Sequence, residues 1–177
     1  MTTDVIVLNG GSSSGTSSLA RALQHTLPRP WLTFGVDTFG EALPPTLQDS
    51  PDGLLVAPDG QVTVGPAYRA LESAWRNGIA AMARGGTGVI LDEVFLGGHE
   101  GQRRWQSALE GLEVLWVGVR CDAETAAARE RARGDRVVGM AAAQADLVHK
   151  GVRYDMEVDT AAATPDACAR LIAARVR

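Results

Sequence analysis

The sequence predicts an α/β fold in which a five-stranded parallel β-sheet is covered by helices on both faces. Short apolar segments of strand length alternate along the chain with longer segments of helical periodicity, as in β-α-β units. The first apolar segment, residues 5–8, contains no polar residue, which is typical of a strand buried on both faces. A turn rich in glycine and serine, residues 10–17, joins this strand to the first helical segment. We expect one domain over residues 1–177, because this length suits a single core.

The remaining elements follow the same alternation. After the first strand, strands are predicted at residues 31–36, 89–91, 114–119 and 157–158. Helices are predicted at residues 17–27, 67–84, 100–109, 123–133, 138–150 and 165–176. The segment 40–66 is rich in proline, glycine and aspartate, and its Asp59-Gly60 pair predicts the turn of a small hairpin.

The composition argues against several classes of function. The net charge is −4, so no overall basic field attracts nucleic acid and we expect no nucleic-acid partner. Lys150 is the only lysine, so nearly all basic residues are arginines. The two cysteines, Cys121 and Cys168, form no CxxC or Cys/His cluster, which argues against a zinc site or a disulfide framework. Only four apolar residues separate Asp4 from Asn9, and no apolar run reaches membrane-spanning length. We therefore expect a cytoplasmic protein without a membrane partner.

The turn after the first strand carries a phosphate-binding pattern with one departure. Its residues, Gly10-Gly11-Ser12-Ser13-Ser14-Gly15-Thr16-Ser17, fit G-x-x-x-x-G-K-[ST] except at the lysine position. Glycines at both ends allow a tight turn that presents amides inward, and the following helix adds a partial positive charge. Such a turn suits the phosphates of ATP, and the Ser17 hydroxyl would bind Mg²⁺. Without the lysine the pattern is weak by itself, so a purely structural turn is the alternative.

Thr16 stands where the pattern has a lysine. That lysine neutralises charge between the β- and γ-phosphates during transfer, which threonine cannot do. If it stabilises the transition state by about 3–4 kcal/mol, its loss slows transfer about 10²–10³-fold. Arginines would then have to supply the positive charge.

Carboxylates follow two of the predicted strands. Asp37 follows the second strand, and Asp92 ends the third strand together with Glu93. In open parallel sheets, ligands bind at the carboxyl ends of the strands. Asp37 could act as a general base towards a hydroxyl, and Asp92 could hold Mg²⁺. For both residues the alternative is a helix-capping role.

The densest positive cluster lies after the fourth strand and comprises Arg129, Arg131, Arg133 and Arg136. Arg133 and Arg136 flank the Gly134-Asp135 pair, so a turn there could direct both guanidinium groups at one phosphate chain. The alternative is an ordinary solvated helix face.

Five segments resemble chloramphenicol phosphotransferases of antibiotic-producing actinobacteria. They are residues 8–13, 34–37, 92–98, 115–121 and 133–137, and the resemblance extends from the first residues to about Thr160. It implies a P-loop fold of the nucleotide-kinase kind. It also implies ATP-dependent phosphorylation of a hydroxyl of chloramphenicol, or of a related small antibiotic, for resistance or self-protection.

The resemblance also implies roles for individual residues. Asp37 is the expected general base, and Arg133 and Arg136 are expected to bind the triphosphate within a lid-like region at about residues 125–140. The family has lysine at the position of Thr16, so a nucleotide- or ligand-binding protein that has lost catalysis is an alternative. A kinase of a nucleoside-like or other natural-product intermediate is another. Related kinases often form dimers or tetramers, although no residue here indicates a homo-oligomer.

Overall fold

The computed structural model describes residues 2–134 and 137–177. The strands in chain order are β1 Val5–Asn9, β2 Trp31–Gly35, β3 Leu54–Val56, β4 Val62–Val64, β5 Gly88–Glu93, β6 Val114–Arg120 and β7 Met156–Asp159. Within the described residues, five of them form a parallel sheet with the order β2-β5-β1-β6-β7. Strands β3 and β4 form a separate antiparallel hairpin.

Helices connect the strands. They are α1 Thr16–Thr26, α2 Val36–Ala42, α3 Pro66–Arg84, α4 His99–Ala108, α5 Ala123–Arg133, α6 Met140–Gln144 and α7 Pro165–Ala173. Two short 3₁₀ turns occupy Pro45–Leu47 and Leu147–His149. None of the helices in the described part of the chain is long and apolar enough to cross a membrane.

The two faces of the sheet have separate cores. In β1, Ile6 and Leu8 pack on the side of α1 and α7, whereas Val5 and Val7 pack on the side of α3 and α4. All four side chains are essentially inaccessible to solvent. Side chains alternate between the faces of a strand, so a fully apolar strand can belong to both cores. The predicted α/β fold with helices on both faces of a five-stranded parallel sheet is therefore confirmed.

The helix predicted at residues 138–150 is wrong. The structure has the short α6, then the 3₁₀ turn at Leu147–His149. The segment starts at Gly139, which has a φ of 99°, and it passes close to the phosphate loop. A Cβ on Gly11 would lie 3.2 Å from the Gln144 backbone, and the Gln144 side chain accepts a hydrogen bond from Ser12. These tertiary contacts favour a bent segment over a continuous helix.

Strand β2 ends one residue earlier than predicted, and the unpredicted helix α2 follows it directly. A Cβ on Gly35 would lie 2.6 Å from the carbonyl oxygen of Asp92, so only glycine allows β2 to approach β5 this closely. Asp37 consequently lies in the first turn of α2 instead of at the end of the strand.

The predicted hairpin is present, with its turn at Asp59-Gly60. Gly60 has a φ of 83°, and a Cβ on it would lie 2.9 Å from the Met140 backbone. The tip of the hairpin therefore packs directly on the first residue of α6. This contact closes one side of the cleft described below.

Candidate active site

A cleft of about 1010 Å³ lies at the carboxyl ends of the sheet strands. Its walls are the turn of residues 10–17, which we call the phosphate loop, together with α2, the hairpin, α3, α4 and α6. The candidate residues from the sequence that line it are Gly11, Ser12, Ser13, Gly15, Thr16, Ser17, Asp37, Asp92 and Arg133. Gly10 and Ser14 of the loop are buried behind this surface. Arg136 lies outside the described residues.

The phosphate loop presents unused amides to the cleft. Ser13 has a φ of 60° and Gly15 a φ of 90°, and such left-handed residues turn successive amides towards one point. Ser12 and Ser14 use their amides in hydrogen bonds to Gln144 and Gly11. Within residues 2–134 and 137–177, the amides of Gly11, Ser13, Gly15 and Thr16 have no hydrogen-bond acceptor. Amides at a helix N-terminus in this arrangement suit an anion.

Two hydroxyl groups of the loop support the same conclusion. The Oγ atoms of Ser13 and Ser14 are buried and have no hydrogen-bond partner among the residues that the structure describes. Buried polar atoms are almost always hydrogen-bonded, so such atoms indicate a missing partner. The oxygens of a phosphate group would satisfy the Ser13 hydroxyl from the cleft. The loop therefore fits the triphosphate that its sequence pattern predicts.

Ser17 and Asp92 lie in contact at the base of the cleft. The Ser17 hydroxyl donates a hydrogen bond of 2.5 Å to Oδ2 of Asp92. Helix α1 positions Ser17 in its first turn, and β5 positions Asp92 opposite Leu8 of β1. A hydroxyl beside a carboxylate is an all-oxygen donor pair suited to Mg²⁺. The two residues singled out as magnesium ligands thus fit that ion.

Asp37 is exposed to the cleft from the first turn of α2. It is placed there by β2, whose last residue, Gly35, pairs in register with Asp92. Gly35, not Asp37, is the N-cap residue of α2, and the helix has no side-chain capping bond. An acid in this position can accept a proton from a hydroxyl bound in the cleft.

The arginine cluster of α5 divides into two parts. Arg133 lines the cleft, whereas Arg129 lies behind the phosphate loop. Arg129 donates a 2.7 Å hydrogen bond to the carbonyl oxygen of Thr160 and a longer one, 3.5 Å, to that of Ser14. The Thr160 hydroxyl also donates to the Ser14 carbonyl, at 2.5 Å. Arg129 and Thr160 therefore brace the loop from its buried side.

A second buried network supports the end of β1. Asn9, which is 1% exposed, donates to the carbonyl of Val148 and to the hydroxyl of Tyr154, and it accepts from the amide of Phe95. The Tyr154 hydroxyl lies 2.6 Å from Nδ1 of His149. A Tyr154 hydroxyl that accepts from Asn9 can donate its own proton to Nδ1 of a neutral His149 imidazole. Burial, assisted by the charge of Arg120, lowers the pKa of His149 to about 4.

The sequence is similar to that of a known protein family over nearly its whole length. Residues 3–177 match the family described as chloramphenicol phosphotransferase-like protein. The chain belongs to this chloramphenicol phosphotransferase-like family. Two curated proteins of Mycobacterium tuberculosis, from strains CDC 1551 / Oshkosh and ATCC 25618 / H37Rv, are 37% identical over 175 residues. Each alignment covers 89% of this chain and 75% of the relative, and each relative is named "Putative O-phosphotransferase".

Solved structures similar to this family member include kinases and a resistance protein. A sugar kinase from Janibacter sp. HTCC2649 has a TM-score of 0.70 at 14% identity, covering 96% of this chain and 92% of that chain. The tunicamycin resistance protein of Deinococcus radiodurans has a TM-score of 0.66 at 20% identity, with coverages of 98% and 95%. The APS kinase of Mycobacterium tuberculosis, solved with AMPPNP and APS, has a TM-score of 0.63 at 13% identity, with coverages of 97% and 95%. These similarities support the P-loop kinase fold.

Sequence reasoning missed one end of the cleft in this family member. Helix α3 contributes Tyr68, Arg69, Glu72 and Arg76, and α4 contributes Arg104 and Trp105. We call this group, together with Glu93, the α3–α4 pocket. Burial is the main reason that the pKa of Glu93 is raised to about 8; Glu72 and Asp92 add to the rise. The spacing of 68, 69, 72 and 76 along one helix face was the available signal.

Proposed function

We propose that this protein is an ATP-dependent O-phosphotransferase that phosphorylates a hydroxyl group of a small molecule. One observation carries the proposal. The unused amides of the phosphate loop, the Ser17–Asp92 pair and Asp37 line one cleft at the carboxyl ends of the strands. Family membership independently supports phosphoryl transfer.

The proposed roles follow from these positions. The loop amides bind the β- and γ-phosphates, and Ser17 and Asp92 hold Mg²⁺, which when bound neutralises phosphate charge. Asp37 takes the proton from the acceptor hydroxyl while the hydroxyl oxygen forms a bond to the γ-phosphorus. The bond from that phosphorus to the bridging oxygen breaks, which releases ADP and the phosphate ester. Arg133, with Arg136, stabilises charge on the transferred group.

The region of residues 125–140 is the proposed lid over the triphosphate, within one kinase-like domain of residues 1–177. Hydrogen bonds connect α5, at the start of this region, to the first residues of α6. The buried carboxylate of Glu130 accepts hydrogen bonds of 2.8 Å from the amides of Gly139 and Ala141. Arg133 lies between these anchors and lines the cleft.

Chloramphenicol, or a related small antibiotic, is the first acceptor to test, in a role in resistance or self-protection. The family description and the five similar sequence segments support this choice. The direct experiment incubates the protein with Mg·ATP and the acceptor, then uses mass spectrometry to detect the phosphorylated product and ADP. Product formed by the wild type and absent with heat-treated protein supports the function. Tight ATP binding without any product from a broad set of hydroxyl compounds contradicts it.

The second candidate is a nucleotide-binding protein with impaired catalysis, and Thr16 favours it. Thr16 is 7% exposed and carries no charge, so the loop lacks a cation of its own. Gln144 also occupies the Ser12 amide, which a bound phosphate could otherwise use. Single-turnover measurements with saturating protein separate the two candidates. An impaired enzyme forms product slowly in one turnover, whereas a binding protein retains ATP unchanged.

A further inference from the structure

The α3–α4 pocket contains three arginines and belongs to the same cleft as the proposed general base, Asp37. Arg69, Arg76 and Arg104 all line the cleft. A narrow recess of the pocket is lined by Val36, which precedes Asp37, and by Glu72, which lies on the same helix as Arg69 and Arg76. The arginines therefore share one cleft with Asp37, the carboxylate that would receive the proton.

Glu72 neutralises only part of this charge. Its Oε2 atom is shared between Arg69, at 2.9 Å, and Arg76, at 3.0 Å. Arg76 is 7% exposed and its guanidinium lies 6.0 Å from the ring centre of Trp105. A buried, fixed guanidinium of this kind is a rigid recognition group, since its geometry is set before any ligand arrives.

Arg104 has no partner at all among residues 2–134 and 137–177, in either an ion pair or a hydrogen bond. It is partly buried on α4 and lies close to Gly97. Desolvation by burial is the main reason that its pKa is lowered; the charges of Arg69 and Arg76 add to the lowering, and those of Glu72 and Glu100 oppose it. A partly buried cation beside two other cations is unfavourable unless an anion joins them.

The charges of the cleft are segregated. The acids Asp37, Glu41 and Asp49 line the side of α2 and the segment after it, whereas three arginines lie on α3 and α4. The α3–α4 pocket contains three guanidinium groups and two carboxyl groups, those of Glu72 and Glu93. Even with both carboxyl groups ionised, this pocket carries an excess of positive charge.

We infer that the acceptor is an anionic hydroxyl compound, whose carboxylate or similar oxyanion binds Arg104 and Arg76 while its hydroxyl faces Asp37. This inference rests on the proposed phosphotransferase function and, within that function, favours an anionic acceptor over neutral chloramphenicol. Guanidinium groups bind such oxyanions through paired hydrogen bonds. Chloramphenicol carries no anionic group, so it is the neutral reference compound for the test.

The first experiment examines the pocket without any catalytic step. Phenylglyoxal modifies accessible arginines, and peptide mass spectrometry reports each site separately. We expect inorganic sulfate, and a hydroxy acid such as quinate, to slow modification of Arg104 about 10-fold or more at saturation. Arg103 is the internal control, since it lies on the same helix, 67% exposed, and pairs with Glu100. Methyl quinate, which is neutral, should protect neither residue.

The second experiment measures transfer from Mg·ATP to a set of hydroxy acids, each beside its methyl ester, with chloramphenicol included. We expect kcat/KM to be higher for the acids than for their esters. Arg104→Gln should raise KM for the best acid about 10–100-fold with a smaller change in kcat, and should leave esters within about 3-fold. Arg103→Gln should leave both nearly unchanged.

The possible failures are distinct. Protection of Arg104 by anions without phosphorylation of any acceptor would support anion binding in the α3–α4 pocket but contradict the phosphotransferase function. Phosphorylation of esters or chloramphenicol as efficiently as acids would support the function and overturn the anionic acceptor. Absence of anion protection at Arg104, or equal effects of Arg104→Gln on acids and esters, would also overturn it.

Discussion

The two ends of the cleft are built in different ways. The donor end consists of backbone amides and small hydroxyl side chains, and hydrogen bonds from Arg129 and Thr160 to the Ser14 carbonyl hold the loop from behind. The acceptor end consists of charged side chains on α3 and α4. A backbone site accepts phosphate whatever the second substrate is, whereas side chains on helices can change without altering the loop. We therefore expect ATP binding to depend on the donor end and the choice of acceptor to depend on the acceptor end.

Removing the proposed base should have the largest effect. It tests whether phosphoryl transfer can be lost while the donor end still binds ATP. We expect Asp37→Asn to lower kcat about 10²–10⁴-fold, because the amide cannot take the hydroxyl proton. The affinity for Mg·ATP should change little. Steady-state kinetics and calorimetric titration with a non-hydrolysable ATP analogue measure the two quantities.

Asp166→Asn is the matched control for Asp37→Asn. Both residues are acids in the first turn of a helix, so both substitutions remove a favourable interaction with the helix dipole. Asp166 is exposed on α7 and should leave activity within about 2-fold, as expected of a surface substitution. An Asp37→Asn variant that retains full kcat would exclude Asp37 as the base.

The buried network of Asn9, Tyr154 and His149, which supports the end of β1 next to the phosphate loop, should make stability depend on pH. The pKa of His149 is lowered to about 4 in the folded protein, against an ordinary value of about 6.5. Between these values the unfolded chain binds more protons, so stability falls as the pH falls from about 6.5 to about 4. We expect His149 to account for about 2–3 kcal/mol of this loss.

Urea unfolding at pH 7 and pH 4.5 measures the contribution of His149. His149→Gln keeps a hydrogen-bond acceptor for Tyr154 and removes the titration, so its stability should fall less on acidification. His25→Gln, at an exposed histidine, should behave like the wild type. Equal losses for His149→Gln and wild type would show that His149 is protonated without cost.

The contacts of Arg129 and Thr160 behind the phosphate loop offer a second test of the donor end. Arg129→Met removes the donors to Thr160 and Ser14, so we expect the free energy of unfolding to fall by about 2 kcal/mol. Binding of ATP should weaken as well, while acceptor KM should hardly change. Arg131→Met, at an exposed position on the same helix, is the control. If Arg129→Met affects acceptor KM as strongly as ATP binding, the two ends are not independent.

The donor end could be predicted from sequence because its signals are local. The strand, the glycine positions and Ser17 lie within one short segment, and Asp37 and Asp92 each follow a recognisable apolar strand. The acceptor end depends on how α3 and α4 pack, which no local pattern specifies. The break in the predicted helix at 138–150 also lies where the segment makes a tertiary contact, the hydrogen bond from the Ser12 amide to Gln144. The sequence places Arg129 and Arg133 in one cluster, but packing puts Arg129 behind the phosphate loop and Arg133 in the cleft.

Thr16→Lys should produce the smallest of these effects and the only gain. A lysine at this position of α1 enters the cleft beside the amides, where it would neutralise charge between the β- and γ-phosphates. We expect kcat to rise about 10-fold, equivalent to about 1.4 kcal/mol, with acceptor KM unchanged. The rise is smaller than the full value of that lysine because Arg133 already contributes positive charge to the cleft. Thr26→Lys adds the same charge at the far end of α1 and should leave kcat unchanged. A slower Thr16→Lys variant would mean that the donor end has adapted around threonine, so that its charge now comes entirely from the arginines of the lid.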